Sequence, residues 1–296
     1  MNHLSGVYTI MPTPFRMDGS LDQESLITLT RFLVSLGVDG LVVLGVLGEV
    51  HKLSRSECDA VITAVVDAAA GEVPVFAGCS AGGTDLAAAS CLRAAELGAS
   101  GFLVAPPPVQ NDDVLWTYYS RINAAVDLPI ILHDYPAATG ILMNTQLVVR
   151  LHQELEHVRC IKLEEAPPAP KISSLRALAP EMTILGGLGG VYFIEELDRG
   201  SDGTMTGFSY PDVLKQIYRM YTGGDKQAAR ERFYSMCPLL RYEFQPGIGL
   251  AVRKEVYRKR GAIQSSYVRH PGAQLDEMLS RELDRVLLYC GITSGG

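Results

Sequence analysis

The amino-acid sequence predicts an α/β protein, a TIM-type (β/α)8 barrel with additional C-terminal helices. Eight short segments that are apolar throughout alternate with helical patterns, and strands of that kind are typical of a parallel sheet buried on both faces. The length of 296 residues accommodates such a barrel, which commonly uses about 250 residues. An open doubly wound sheet is the alternative, but the glycine-rich run at 186–190 lacks the spacing of a dinucleotide-binding motif.

The predicted strands are short and rich in apolar residues. In chain order they cover residues 6–10, 40–45, 73–78, 101–105, 129–133, 160–164, 183–187 and 203–207. Helical periodicity lies between most of them, over residues 21–36, 54–70, 84–97 and 114–125. Ser54 and Glu57 form a capping-box pattern at the start of one helix. Gly37 and Gly98 stand where helices are expected to stop.

The C-terminal part is predicted to be mostly helical, over residues 212–221, 225–236, 248–260 and 274–288. That is more helix than the last barrel unit requires, and no linker-like composition separates it. We therefore predict a barrel over residues 1–210 and a helical extension over residues 211–296, packed on it as one structural unit. The basic stretch 253–260, in which acidic and apolar residues are interleaved, is predicted to form the solvated face of a helix.

Composition excludes several classes of function. With 47% hydrophobic residues, 20% charged residues and a net charge of −7, the chain lacks the basic balance of a nucleic-acid binder. Its six scattered cysteines predict reduced thiols and neither a metal site nor a redox dithiol. Because we find no leader-like segment or membrane-length apolar run, we expect a cytoplasmic protein with a small-molecule partner and no membrane partner.

Candidate catalytic side chains follow the predicted strands, at the barrel rim where chemistry is expected. The second strand ends in the segment 45–49, the fifth in His133 and the sixth in Lys162 and Glu164. An ammonium at the end of a short apolar strand is a poor core element, whereas a partly desolvated amine can attack a ketone carbonyl. Lys162 is thus a candidate Schiff-base nucleophile, although the residue alone leaves open an ion pair with Glu164 or Glu165.

Together these segments resemble the dihydrodipicolinate synthase / N-acetylneuraminate lyase family, barrel enzymes that form a Schiff base with pyruvate or a related 2-oxo acid. The resemblance covers nearly the whole chain. Its marks are Pro-Thr-Pro-Phe at 12–15, Gly-x-x-Gly-Glu at 45–49, the strand-5 segment running to 136–140, and Ile-Lys at 161–162. It implies that Lys162 forms the Schiff base, that backbone amides around Val46 and Leu47 bind the 2-oxo acid carboxylate, and that no metal or organic cofactor is needed. It also implies a homo-oligomer, either a tetramer built from dimers or a dimer.

The predicted catalytic residues are Lys162, His133 and Glu164. His133 is the first choice for proton transfer because an imidazole titrates near neutrality, at about 6.5; the alternative is a packed histidine bonded to a carbonyl. Strand alternation places Glu164 on the same face as Lys162, where it could hold the ammonium or serve as a second base. The predicted substrate contacts are Gly45, Val46, Leu47, Gly48, Asp134, Gly186, Gly187 and Met205.

Four positions depart from the family pattern. Val46-Leu47 replaces a usual Thr-Thr pair, and His133 replaces the usual strand-5 tyrosine. Prolines at 106–108 replace a further tyrosine, and Ala138 corresponds to the arginine that binds the second substrate's carboxylate in the synthases. These changes keep the lysine but remove the proton relay and the carboxylate clamp.

Three hypotheses follow. The favoured one is a Schiff-base lyase that acts on pyruvate or another 2-oxo acid, as an aldolase or a dehydratase of a sugar-acid-like substrate. The second is a true 4-hydroxy-tetrahydrodipicolinate synthase of lysine biosynthesis with a relay rebuilt around His133. The third is a catalytically silent barrel that binds a 2-oxo acid.

Overall fold

Eight parallel strands close into a barrel in sequential order in the computed structural model, which describes residues 3–292. The fold class is therefore as predicted, and each expected strand overlaps an observed one. The strands are β1 (Gly6–Ile10), β2 (Gly40–Val43), β3 (Val75–Gly78), β4 (Gly101–Val104), β5 (Ile130–Asp134), β6 (Val158–Leu163), β7 (Thr183–Gly186) and β8 (Gly203–Thr206).

Helices surround the barrel and extend beyond it. Those between strands are α1 (Gln23–Ser35), α2 (Arg55–Ala69), α3 (Thr84–Glu96), α4 (Asp112–Ala125), α5 (Pro136–Thr139), α6 (Thr145–Glu154), α7 (Pro168–Leu178) and α8 (Phe193–Asp198). After β8 come α9 (Pro211–Thr222), α10 (Lys226–Glu243), α11 (Gly249–Lys259) and α12 (Glu277–Tyr289). Helix α9 packs against β1, where Lys215 pairs with Asp39. The helical layer of the barrel thus continues past the expected boundary at residue 210, and the extension consists of α10 to α12.

Two apolar layers hold the strands in place. Side chains such as Val42, Phe76 and Leu185 fill the barrel interior. A second layer lies between strands and helices, and a cluster that joins Val7 of β1 to Phe233 of α10 ties the extension to the barrel. This shared burial of apolar surface makes barrel and extension one packed unit.

Local signals at the helix ends are present in the structure. Ser54 caps α2 in a complete capping box with Glu57. Gly37 and Gly98 follow α1 and α3 with φ of +74° and +90°, left-handed values that glycine adopts without steric cost.

The prediction of a solvated face over residues 253–260 is wrong for its first half. Arg253, Lys254 and Glu255 of α11 are all more than nine-tenths buried, because α11 packs between α10 and the segment that precedes α12. The ammonium of Lys254 is 2.5 Å from Glu49 Oε1 and donates to the carbonyl of Tyr267 at 2.9 Å. A charged helix face can be buried in this way when its charges are paired.

Three negative findings apply to residues 3–292. No helix there is both long and apolar enough to cross a membrane. No group of three or more His, Cys, Asp or Glu side chains there could hold a metal ion. The six cysteines, all within this range, are free.

Candidate active site

A cavity of about 660 Å³ opens at the carboxyl ends of the strands, the end at which barrel enzymes carry their sites. Lys162, His133 and Glu164 line it together. Strands β5 and β6 are neighbours in a register that pairs His133 directly with Lys162. Glu164 is the first residue after β6, and its N–H donates to the carbonyl of Asp134 at 2.7 Å, which extends the ladder between the two strands.

These three side chains are in mutual contact. Lys162 Nζ donates to Glu164 Oε2 at 2.5 Å, and His133 Nε2 lies 2.7 Å from the same oxygen. The distance between Lys162 Nζ and His133 Nε2 is 3.1 Å. Glu164 Oε1 accepts the N–H of Leu188 at 2.8 Å, so both carboxylate oxygens are fixed. All three residues are more than nine-tenths buried. Pairing offsets the free-energy cost of removing their charges from water.

The surroundings set the charge of this cluster. Burial alone would raise the pKa of Glu164, but the ammonium of Lys162 and the hydrogen bond from His133 outweigh burial and lower this pKa to about 2. Burial, and then the charge of Lys162, lower the pKa of His133. At neutral pH the carboxylate is therefore ionised and the imidazole is neutral.

The contacts also favour one tautomer of His133. A proton on Nε2 can be donated to Glu164 Oε2 at 2.7 Å, whereas a bare Nε2 would place its lone pair against that carboxylate oxygen. Nδ1 then carries a lone pair, and within residues 3–292 no group donates a hydrogen bond to it. The ring stacks on Tyr135, with centroids 5.7 Å apart and planes at 23°. This stack holds a neutral base beside the lysine.

The loop after β2 contributes backbone donors to the cavity. Gly45, Val46 and Leu47 line it, and no acceptor within residues 3–292 bonds the N–H of Val46 or Leu47. Glu49, at the end of this loop, is fully buried and has a left-handed φ of 56°. Its carboxylate accepts from Lys52 at 2.8 Å and from Lys254 at 2.5 Å. Glu49 thus fixes the loop that carries these two amides, which are groups of the kind that bind anions.

Five predicted substrate contacts do not line the cavity. Asp134 is fully buried on the outer side of β5, where its Oδ2 accepts from Lys171 at 2.6 Å. Its neighbour His133 points inward, so alternation along the strand turns Asp134 away. Met205 is fully buried in the barrel-interior cluster. Gly48 belongs to the turn, and its carbonyl accepts from Thr13 Oγ1 at 2.7 Å.

Gly186 and Gly187 have a different role from the one expected. A Cβ at Gly187 would lie 2.3 Å from Cγ of Glu164, and one at Gly186 would lie 1.8 Å from Oε2 of Glu196. The two glycines therefore make room for acidic side chains, and Gly187 permits the position of Glu164.

Sequence reasoning missed several polar residues that line the cavity, three of which belong to a strand or a helix. Thr206 belongs to β8, Glu243 ends α10 and Arg253 lies in α11. Arg253 Nε is 3.4 Å from Glu243 Oε2. The β8 position of Thr206 was a usable signal, because its strand end lies at the same rim. No local pattern marks the other two, because only the packing of α10 and α11 brings them over the barrel.

The arrangement supplies each part of a Schiff-base reaction. It offers an amine, a neutral base bonded to an ionised carboxylate, and free amides beside them. The cavity is also within the size range of ligand sites, about 300 to 1,000 Å³, and leaves room beyond a three-carbon acid.

The chain is similar to known proteins over nearly its whole length. The model of the Dihydrodipicolinate synthetase family matches residues 3–288. A relative named L-2-keto-3-deoxyarabonate dehydratase, from Azospirillum brasilense, is 29% identical over 94% of this chain and 92% of its own. A 4-hydroxy-tetrahydrodipicolinate synthase from Methanosphaerula palustris is 32% identical over 95% of this chain and 98% of its own. The crystal structure of a dihydrodipicolinate synthase from Rhodopseudomonas palustris superposes with a TM-score of 0.93 at 35% identity and covers 97% of both chains.

Proposed function

Because the chain belongs to the dihydrodipicolinate synthetase family, we propose that it is a lyase that forms a Schiff base between Lys162 and pyruvate or another 2-oxo acid. The observation that carries this proposal is the position of Lys162 Nζ inside the cavity, 2.5 Å from Glu164 Oε2 and 3.1 Å from His133 Nε2. An ion pair between Lys162 and Glu164 alone does not account for a neutral imidazole in contact with both partners.

The proposed chemistry begins when the free amine of Lys162 attacks the 2-oxo carbon. The carbinolamine loses water to give an iminium ion, and the Glu164–His133 pair moves the protons that this step requires. The substrate carboxylate binds the N–H groups of Val46 and Leu47. Because the iminium is an electron sink, a base can then remove a proton from the adjacent carbon to give an enamine. His133 is the proposed base, and no metal or organic cofactor takes part.

We propose that the substrate is a sugar-acid-like 2-oxo acid, which the enzyme cleaves or dehydrates. The volume of the cavity supports a substrate longer than pyruvate. The name of the Azospirillum brasilense relative supports a dehydratase. The lack of hydroxyl side chains at Val46 and Leu47, and of a cation at Ala138, disfavours condensation of pyruvate with aspartate semialdehyde.

A product assay separates the alternatives. The protein is incubated with 2-keto-3-deoxy sugar acids, and separately with pyruvate plus aspartate semialdehyde, with a Lys162→Ala variant as the control. Loss of water or release of pyruvate from a sugar acid, abolished in the variant, is the expected result. Robust turnover of pyruvate with aspartate semialdehyde would instead establish the synthase named among the relatives. Turnover that survives in the variant would refute the role of Lys162.

A further inference from the structure

The cavity contains a cation that the proposed reaction does not use. Arg253 lines the cavity from α11, and its side chain is only 7% exposed. Its closest acidic neighbour is Glu243, at 3.4 Å from Nε, but this contact lacks the geometry of a hydrogen bond. Within residues 3–292 the Nε of Arg253 is buried and has no hydrogen-bond partner.

This arrangement is costly unless a ligand completes it. A guanidinium has five N–H donors, and a buried donor without an acceptor loses its hydration without compensation. Both oxygens of Glu243 already accept from Ser209, one from its hydroxyl and the other from its N–H. The two lysines that line the cavity, in contrast, each donate a hydrogen bond to a carboxylate: Lys52 to Glu49 and Lys162 to Glu164.

Arg253 lines the same cavity as Lys162 but belongs to a different element, α11, and within residues 3–292 no hydrogen bond joins the two side chains. Burial lowers the pKa of Arg253, and the charges of Glu243, Tyr257, Glu164 and Tyr135 oppose that shift. The amides of Val46 and Leu47 belong to a different element, the loop after β2, and the carboxylate next to the 2-oxo group is already assigned to them. Arg253 is thus available for a different part of the substrate.

We propose that Arg253 determines specificity by binding a second carboxylate, carried at the end of the substrate remote from the Schiff base. A guanidinium fork matches the two oxygens of a carboxylate, and a hydroxyl fits it less well because it offers a single oxygen. The substrate class is then a 2-oxo dicarboxylic acid, such as an oxidised sugar diacid. Arg253 would replace, from α11, the clamp that Ala138 lacks. This inference rests on the proposed Schiff-base function and specifies its substrate.

The test compares probes that differ only at the remote end. Borohydride trapping is measured by intact mass against the concentration of pyruvate, of 2-oxohexanoate and of the diacids 2-oxoglutarate, 2-oxoadipate and 2-oxopimelate. We expect at least one diacid to half-saturate trapping at a concentration about tenfold lower than 2-oxohexanoate, the ratio that one charge-assisted hydrogen-bonded pair supplies. Arg253→Gln should abolish that preference and change half-saturation by pyruvate less than about twofold, because pyruvate has no second carboxylate.

Two further variants keep the test decisive. Arg258→Gln, on the same helix with a side chain 45% exposed, is the matched control and should retain the preference. If Arg253→Gln misfolds because Glu243 is left unpaired, the double variant Arg253→Gln/Glu243→Gln removes both charges. It should trap pyruvate and show no preference for a diacid.

The outcomes distinguish a failure of the role proposed for Arg253 from a failure of the Schiff-base function on which it rests. Adduct formation with pyruvate but no preference for any diacid would overturn the role of Arg253 alone. The same holds if the double variant keeps the preference, or if 2-keto-3-deoxyarabonate, which has a neutral remote end, half-saturates trapping below every diacid. No adduct with any probe would overturn the Schiff-base function as well.

Discussion

Replacement of His133 by Phe tests the proton-transfer step apart from nucleophilic attack. The change removes the contact of Nε2 with Glu164 Oε2 at 2.7 Å and with Lys162 Nζ at 3.1 Å. It keeps an aromatic ring that can stack on Tyr135. Glu164 still accepts from Lys162 and from the N–H of Leu188, so the carboxylate stays in position and the fold should be retained.

The expected loss follows from the role proposed for the imidazole. General acid–base catalysis by a positioned side chain typically contributes about 10²- to 10⁴-fold. Removal of the base should therefore slow proton exchange at the methyl group of pyruvate by about 10²- to 10³-fold, or roughly 3 to 4 kcal/mol in the barrier. Trapping of the pyruvate adduct should fall by less than about tenfold, because Lys162 remains the nucleophile.

The assay follows the pyruvate methyl signal by proton NMR in D₂O, alongside borohydride trapping of the same sample. His157→Phe is a suitable control, since His157 precedes β6 at the opposite end of the barrel. Exchange in the His133→Phe variant within about threefold of the wild-type rate would refute the role of His133 as the base.

Two other substitutions test the supports of the site and fold. In Gly187→Ala the new Cβ would lie 2.3 Å from Cγ of Glu164, so we expect exchange to fall about tenfold or more and stability to fall by about 1 to 3 kcal/mol; Gly82→Ala, where the nearest atom is 3.9 Å away, should be neutral in both assays. The hydrogen bond from Arg269 lowers the pKa of Glu57 to about 2, although burial alone would raise it. The stability that ionised Glu57 contributes to the fold is therefore complete above pH 4.5 and is lost as the pH falls towards 2. Urea unfolding should show Glu57→Gln destabilised by about 1 to 2 kcal/mol at pH 7 and a smaller difference at pH 3; an equal difference at both pH values would contradict this explanation.

The strands were predictable because their signal is local. Each is a short apolar run bounded by loop residues, and the eightfold repetition limits the topologies that can bury all of them. The capping box at Ser54 and the left-handed glycines after α1 and α3 are likewise decided within a few residues. The place of α9 was not predictable in this way, because only its packing against β1 shows that it lies in the helical layer around the barrel.

The site residues that lie on strands were predictable from strand geometry, and those on the C-terminal helices were not. Alternation along β6 brings Glu164 to the side of Lys162, and the same rule applied to β5 would have turned Asp134 away from the cavity. Arg253 and Glu243 follow no such rule. Their helices cross the mouth of the barrel through tertiary packing, and the charged stretch that contains Arg253 has the composition of a solvated helix face.

The central claim is that Lys162 is the nucleophile, and the most direct measurement is the location of a trapped adduct. The protein is reduced with borohydride in the presence of pyruvate, digested and mapped by peptide mass spectrometry. We predict one pyruvate-derived group on the peptide that contains Lys162, and none on Lys171, a second buried lysine that is held by Asp134 and Glu165. An adduct on Lys171 or another lysine, or no adduct with pyruvate or any other 2-oxo acid tried, would contradict the claim.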